Sequence, residues 1–293
     1  MRSFKILLIA VIFLLFNTAL LLAQDSVAIP DTLQGWKSTW VVNLNGSQAS
    51  YSNWSQGGVN NIAVTGRSNA TLAYKQGRFS YGVLLDTRFG QTRIQDEGVR
   101  KIDDRLFLMN RFLFDLGNED SDFKIFGNIR FRTQFAEGFN YGAVPDGGNI
   151  LISNFLAPAY FTQDAGLAYV PTDNFMFEAG LGLQQTFVRD VELAPRYGLD
   201  EGDRFRSEAG LTLGSNYDAE IATNILFSTS INTFTSFDKP LSSTDVYFSN
   251  RFTARINSYM NTSLSLDLVY NDDFSKEIQV AQVLSVGVSF NLR

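Results

Sequence analysis

The chain has 293 residues, 24 Lys and Arg against 30 Asp and Glu, a formal charge of -6, and neither His nor Cys. Without imidazole or thiol there is no Ser-His or Cys-His nucleophile pair, no imidazole base and no His or Cys metal ligand. The acidic balance argues against nucleic acid, the single long apolar run against a bundle of membrane helices, and the missing cysteine against a disulfide framework.

Residues 1–23 open with Arg2 and Lys5, continue as an apolar run over 6–22 and end on Ala23 before Gln24-Asp25. A positive start, an apolar middle and a small residue before a polar stretch read as a cleaved secretory signal peptide. An uncleaved anchor is the alternative, because the run is nearly long enough to span a bilayer. Cleavage removes Arg2 and Lys5 and takes the formal charge from -6 to -8. Residues 24–36 form a short polar lead with Pro30 and no periodicity, expected in the periplasm and too short for a plug domain.

From residue 37 to 293 the chain repeats one kind of segment. The clearest is 122–135, DFKIFGNIRFRTQF, where Phe123, Ile125, Ile129, Phe131 and Phe135 alternate with Lys124, Asn128, Arg130, Arg132 and Gln134. Successive strand side chains point to opposite faces, so one face is apolar and the other charged or amide-bearing. Such segments are expected at 37–50, 61–74, 79–90, 104–116, 122–135, 160–170, 175–188, 204–215, 219–237, 245–256, 261–270 and 279–292. Nothing else in the chain is available to cover so many apolar faces, which leaves lipid. The connections sort by parity. Those after even-numbered strands are short (75–78, 117–121, 171–174, 216–218 and 257–260). Those after odd-numbered strands are mostly longer (52–60, 91–103, 136–159, 189–203, 238–244 and 271–278). Short periplasmic turns and longer outside loops characterise outer-membrane barrels.

Aromatic placement agrees. Phe79, Phe112, Phe114, Phe123, Tyr169, Phe175, Phe177 and Phe290 fall near the short-turn end, and Phe89, Phe131, Phe135, Phe187, Phe205, Phe248 and Tyr270 toward the long loops. Two aromatic belts around an aliphatic band match the two lipid interfaces. The expected fold is therefore all-β, a transmembrane antiparallel up-and-down β-barrel of about twelve strands. Its place is the outer membrane of a Gram-negative bacterium, with membrane lipid as its first partner.

Gly35-Trp36, Trp40, Asn53-Trp54-Ser55-Gln56-Gly57-Gly58 with Asn60-Asn61, the later Lys101-x-Asp103-Asp104 and Ser153-x-Phe155-x-x-Pro158-x-Tyr160 form a further pattern. It resembles a Bacteroidetes family catalogued as domain of unknown function 3078 (DUF3078). The resemblance implies an outer-membrane location and a Bacteroidetes source, and it carries no activity or functional residues. Asp25-Ser26-Val27 and Asp31-Thr32-Leu33 are similar to O-glycosylation acceptors of those bacteria.

By parity the inward face carries Arg67, Arg88, Arg105, Arg111, Lys124, Arg130, Arg132, Arg204, Arg206, Arg251 and Arg255, set against Asp86, Asp115, Asp164, Glu178, Glu208 and Asp267. Two readings follow. Rings of Arg and Lys favour anions and would select small anionic or polar solutes in a passive channel. Alternatively, Arg–carboxylate pairs cross-link a filled lumen, in a non-conducting structural, adhesion or assembly barrel that acts through its outer loops. Small inward residues (Gly82, Gly166, Ala168, Gly180, Gly182, Gly210, Gly287 and Ser289) would open one side of the lumen. In the longest loop the apolar stretch 149–158 either folds inward as a constriction or packs over the rim.

Enzyme, cofactor and metal readings find little support. Asp103/Asp104 and Asp272/Asp273 are adjacent loop carboxylates of the kind usually solvated, and Asp200, Glu201 and Asp203 match no known calcium-loop spacing. No phosphate-cradling motif follows Gly57-Gly58 or Gly147-Gly148. No catalytic, cofactor or metal residue is therefore expected, and no protein partner is named by the sequence.

Overall fold

Strands with one apolar and one polar face must either stack two sheets or close on themselves. Here the sheet closes. The computed structural model describes residues 27–50, 59–144, 148–273 and 275–292. The expected signal peptide, Ser26 and the Asn53–Gly58 motif residues lie outside them. The strands are β1 (Gly35–Ala49), β2 (Asn61–Gln76), β3 (Phe79–Ile94), β4 (Gly98–Asp115), β5 (Phe123–Thr133), β6 (Gly138–Asn140), β7 (Ile150–Ser153), β8 (Ala159–Thr172), β9 (Phe175–Phe187), β10 (Phe205–Ala222), β11 (Ile225–Ser236), β12 (Asp245–Arg255), β13 (Met260–Asn271) and β14 (Ser275–Asn291).

All but β6 and β7 join one closed antiparallel barrel in sequence order, and β1 meets β14 with Val41 opposite Asn291. Closure gives every barrel strand a hydrogen-bonded neighbour on both sides. The outer wall is aliphatic and uncovered: Leu181 is 61% exposed and Leu284 73%. No protein layer lies over these side chains, so they face lipid, and the barrel is transmembrane. Outward aromatic pairs cluster at the short-turn end, with Trp36 against Tyr74 (4.6 Å between ring centres), Tyr81 against Phe112 (5.0 Å) and Phe123 against Tyr169 (5.0 Å). Among the described residues, crossing is by strands alone, because no helix is long and apolar enough to span.

The twelve expected segments all exist, and three connections differ. The turn expected at 216–218 is strand; β10 runs on to Ala222 and turns at Thr223-Asn224, where Asn224 takes a φ of 64°. Asn216 and Asp218 are polar because they face inward, and that polarity imitates a turn. The loops expected at 91–103 and 271–278 are mostly strand as well. β3 and β4 continue to a tight tip at Asp96, and β13 and β14 to a tip after Asn271. Beyond the bilayer both faces of a strand are wet, the apolar alternation stops, and the continuing ladder leaves no trace in the hydropathy.

The long connection between β5 and β8 carries the β6–β7 hairpin, and that between β9 and β10 a short 3-10 helix, Val191–Tyr197. Ala157, Val188, Leu193, Ala194, Tyr197 and Leu199 pack into a small apolar core of their own above the rim. The apolar stretch 149–158 is thus mainly rim packing, and its Ile152, Ser153 and Pro158 also border the cavity below.

Candidate functional site

The lumen is built in tiers. At the short-turn end, Lys75 on β2 and Lys124 on β5 converge on Asp115 at the end of β4. Lys75 Nζ donates to Asp115 at 3.0 Å and Lys124 Nζ at 2.7 Å. Both ammonium groups also donate to Asp31 at 2.9 Å. Asp31 belongs to the N-terminal lead, which therefore enters the barrel.

The lead, expected to be too short for a plug domain, nevertheless places apolar side chains inside the barrel. Val27 packs with Leu84, Phe107 and Met109, and Ile29 bridges from them to Leu113, Phe126 and Ala168. The lead is the apolar cover of an apolar patch on the inner wall. A Cβ at Gly82 would stand 2.0 Å from Val27 Cγ1, so Gly82 is the notch that admits it. Other inward glycines receive rings as well: a Cβ at Gly180 would meet Phe126 at 2.9 Å, and one at Gly210 would meet Phe234 at 2.9 Å. At Gly82, Gly180 and Gly210 the space is therefore taken by Val27, Phe126 and Phe234 and does not open the lumen. The signal for this tier was legible as Leu84, Phe107, Met109, Leu113 and Phe126 on the inward parity.

Above it lies a paired middle. Arg111, almost fully buried, ion-pairs with Glu178, Arg130 pairs with Asp164, and Asn128 Nδ2 donates to Asp164 at 3.1 Å and Glu178 at 3.4 Å. Higher still, Arg67 Nε donates to Asp86 at 2.7 Å, and Arg88 and Arg105 approach the other oxygen of Asp86 at 3.6 and 3.8 Å. The Arg132 guanidinium lies over the rings of Tyr160 and Tyr247, 4.8 and 5.1 Å from their centres. Arg251 and Asp267 border the same space, and Asp267 accepts from Ser249.

A cavity of about 440 Å³ occupies the long-loop half, lined in part by Arg88, Arg105, Arg132, Arg251, Tyr160 and Tyr247 and roofed by Ile152, Ser153 and Tyr197. A second cavity of about 130 Å³ lies beside the paired middle and shares Arg132, Tyr160, Asn232 and Tyr247 with the first. At the rim, Arg206 and Lys239 meet Glu208 and Asp273, with Lys239 Nζ 2.9 and 2.7 Å from them. Two residues expected in the lumen are elsewhere. Arg204 precedes β10 and Arg255 ends β12, both exposed, because the inward parity extends past the ends of the lumen.

Groups outside the membrane are also tuned. Burial lowers the Lys239 pKa, yet hydrogen bonds to Asp273 and Glu208 outweigh it and leave the value raised. Burial pushes the Tyr197 phenol up to about 12, while its OH donates to Ile152 O at 2.6 Å. The Lys101 and Ser153 motifs meet at the rim: Lys101 Nζ donates to Asp104 at 2.9 Å and to Gln134 at 2.8 Å, and Ser153 Oγ donates to the same Gln134 oxygen at 2.8 Å. Among the described residues, one carboxylate cluster has metal-like spacing, Asp31, Asp115 and Asp120, and the Lys75 ammonium contacts all three.

Residues 47–139 match the profile of the family described as protein of unknown function (DUF3078). This is the family that the sequence motifs resemble. The matched stretch carries Arg67, Asp86, Arg88, Arg105, Arg111, Lys124, Arg130 and Arg132, much of the cationic wall. The Ser153–Tyr160 motif lies beyond it. None of the curated proteins compared is similar in sequence.

Three solved structures illustrate the likeness in fold. The translocator domain of the autotransporter NalP from Neisseria meningitidis is 12% identical over 88% of this chain and 89% of that one, with a TM-score of 0.39. An outer-membrane channel from Pseudomonas putida F1 is 9% identical over 92% and 99%, TM-score 0.42. The beta domain of the Bordetella autotransporter BrkA is 14% identical over 88% and 99%, TM-score 0.34.

Proposed function

We propose that the protein is an outer-membrane barrel of a Gram-negative bacterium, exported by a cleaved N-terminal signal peptide, and that it serves as a closable passive channel for small polar or anionic solutes. In this reading the short turns and the lead face the periplasm and the long loops face outward. The observation that carries it is the cationic cavity of about 440 Å³, beneath which the lumen is stopped by the lead. Its residues 27–34 contribute no strand to the wall. It is held by packing at Val27 and Ile29 and by the Asp31 ion pairs, contacts that can be released without opening the barrel.

The test is conductance of the refolded mature chain in a planar bilayer under a salt gradient, beside an Asp31→Lys variant. Three like charges at Lys75, Lys124 and position 31 repel one another, so the lead should leave the lumen. Rare, small openings in the parent and steady, anion-preferring conductance in the variant are expected. Silence from both, with heat-modifiable folded barrels, would reject the channel. The rival would then stand: a non-conducting barrel acting through its outer loops, favoured by the separately packed cap around Val188 and Tyr197.

A further inference from the structure

We infer that the long-loop half of the lumen holds a binding site for a small oxyanion, a carboxylate or a phosphate, received by Arg88 on one wall and by Arg251 on another. The inference deepens the proposed function by naming a ligand class, yet it concerns equilibrium binding and survives if the barrel does not conduct.

The register supplies the first argument. Arg67 on β2 stands directly opposite Arg88 on β3, and Arg88 directly opposite Arg105 on β4. Like charges in cross-strand register are destabilising, and here three lie in one row on the inner wall. One buried carboxylate, Asp86, lies within 4 Å of all three, and Arg105 also lies over the Phe107 ring, 4.5 Å from its centre. It is hydrogen-bonded to Arg67, whereas Arg88 stops at 3.6 Å, beyond hydrogen-bond reach. Asp86 Oδ2 and Arg88 Nε are accordingly buried without a hydrogen-bond partner. Asp103 reaches Arg88 only at 4.0 Å.

Arg251 supplies the second. It borders the same cavity and makes no ion pair with any described residue. The charges within its electrostatic reach include Arg67, Arg88, Asp86, Asp267 and Asp218. Along the cavity wall the guanidinium groups of Arg88, Arg105, Arg132, Arg196 and Arg251 outnumber the carboxylates of Asp103, Asp104 and Asp267, in a space partly removed from water, where unmatched charge is costly. The short-turn end of the same barrel has no such surplus: there Lys75 and Lys124 face Asp31, Asp115 and Asp120.

The ligand class follows from the donors. A guanidinium presents a planar fork that matches a carboxylate or phosphate edge. The cavity, about 440 Å³, is of the size that holds small molecules. Tyr160 and Tyr247 offer ring edges to an organic portion, so a small organic acid or phosphorylated metabolite fits better than a bare halide.

The test is calorimetric titration of inorganic phosphate, and separately of benzoate, into the folded full-length barrel in detergent, with chloride adjusted to hold ionic strength constant. Saturable binding of at least one probe is expected. Arg251→Gln, which breaks no ion pair, should weaken it by about tenfold or more, and Arg251→Lys, which keeps charge but loses the fork, by less. Absence of saturable binding of both probes to the parent, or unchanged affinity in Arg251→Gln, would overturn the site.

Discussion

The two halves of the lumen are walled by the same strands and carry opposite arrangements of charge. At the short-turn end two lysines meet three carboxylates, an apolar layer lies beside them, and the lead packs against both. Toward the long loops, arginines stand in cross-strand register around a single buried aspartate, and a cavity remains. One half pairs both of its lysines and fills the notch at Gly82 with Val27, although a pocket of about 490 Å³ opens beside Asp31 and Lys75. The other is left unfinished in the manner of a binding site. The difference teaches that a polar lumen is not one environment: polarity by itself predicts neither an open pore nor a filled one, and the local count of partners decides.

The sharpest way to break that comparison is to remove one arginine from the paired middle, which shares the paired character of the short-turn end, and one from the long-loop half. Arg111 is 1% exposed and its Glu178 partner is buried on the facing wall. Arg111→Met leaves Glu178 without its cation and should cost about 3 to 5 kcal/mol. Changing Glu178 to Gln in the same chain should recover much of that loss, because the uncompensated charge goes with it. Arg251→Gln should change stability by less than about 1 kcal/mol, in either direction, since it relieves repulsion as it removes a contact. Urea unfolding of the barrel in lipid vesicles measures all three. Equal losses from Arg111→Met and Arg251→Gln would mean that the two regions are not different in kind.

Much of this was legible in the sequence because strand geometry is local. The alternation in 122–135 dictates which side of β5 meets lipid, and the same parity places Lys124, Asn128 and Arg130 inward. What alternation does not encode is which residues meet across the lumen. Arg111 and Glu178 are 67 positions apart, and they touch because of the barrel's diameter and stagger. Parity also overran the barrel at Arg204 and Arg255, where nothing in the pattern marks the membrane boundary. The lead escaped notice because Val27, Ile29 and Asp31 show no periodicity. Their meaning lies in the patch they cover, and that patch was visible as apolar residues on the wrong face of β3, β4 and β5.

The lead offers the next test, of intermediate size. Gly82→Leu places a side chain where Val27 now sits, with no space at the Cβ itself. The barrel wall is hydrogen-bonded without the lead, so the fold should survive while the lead is expelled. The loss should be about 1.5 to 3 kcal/mol, the burial of one aliphatic side chain. Expulsion is read by protease cleavage within residues 27–34, resistant in the parent and rapid in the variant. Phosphate affinity at the arginine row should not change, since the two sites occupy different halves. A variant that loses both the lead and the anion site would show that they are one unit.

The smallest effect belongs to the cap that roofs the arginine half. Tyr197 donates to Ile152 O and so ties the short helix to the β7 strand above the cavity. Tyr197→Phe removes that hydrogen bond at a cost of about 1 kcal/mol, confined to the cap, and measurable as faster proteolysis of the segments around Ala157 and Val188. Burial holds the folded phenol at about 12, above its ordinary 10.0. The sign of the linkage follows: below pH 10 the phenol is neutral whether the cap is closed or open, and the contribution is complete. As pH rises from 10 toward 12 the open form ionises first and the cap loses stability. A titration of phenolate absorbance should show one tyrosine ionising near pH 12 that is missing from Tyr197→Phe. In that variant the cap should also lose the part of its alkaline weakening that Tyr197 supplies. If cap opening near pH 11 instead left the benzoate affinity of the parent unchanged, the roof would be irrelevant to the cavity, and the arginine half would owe its ligand to the wall alone.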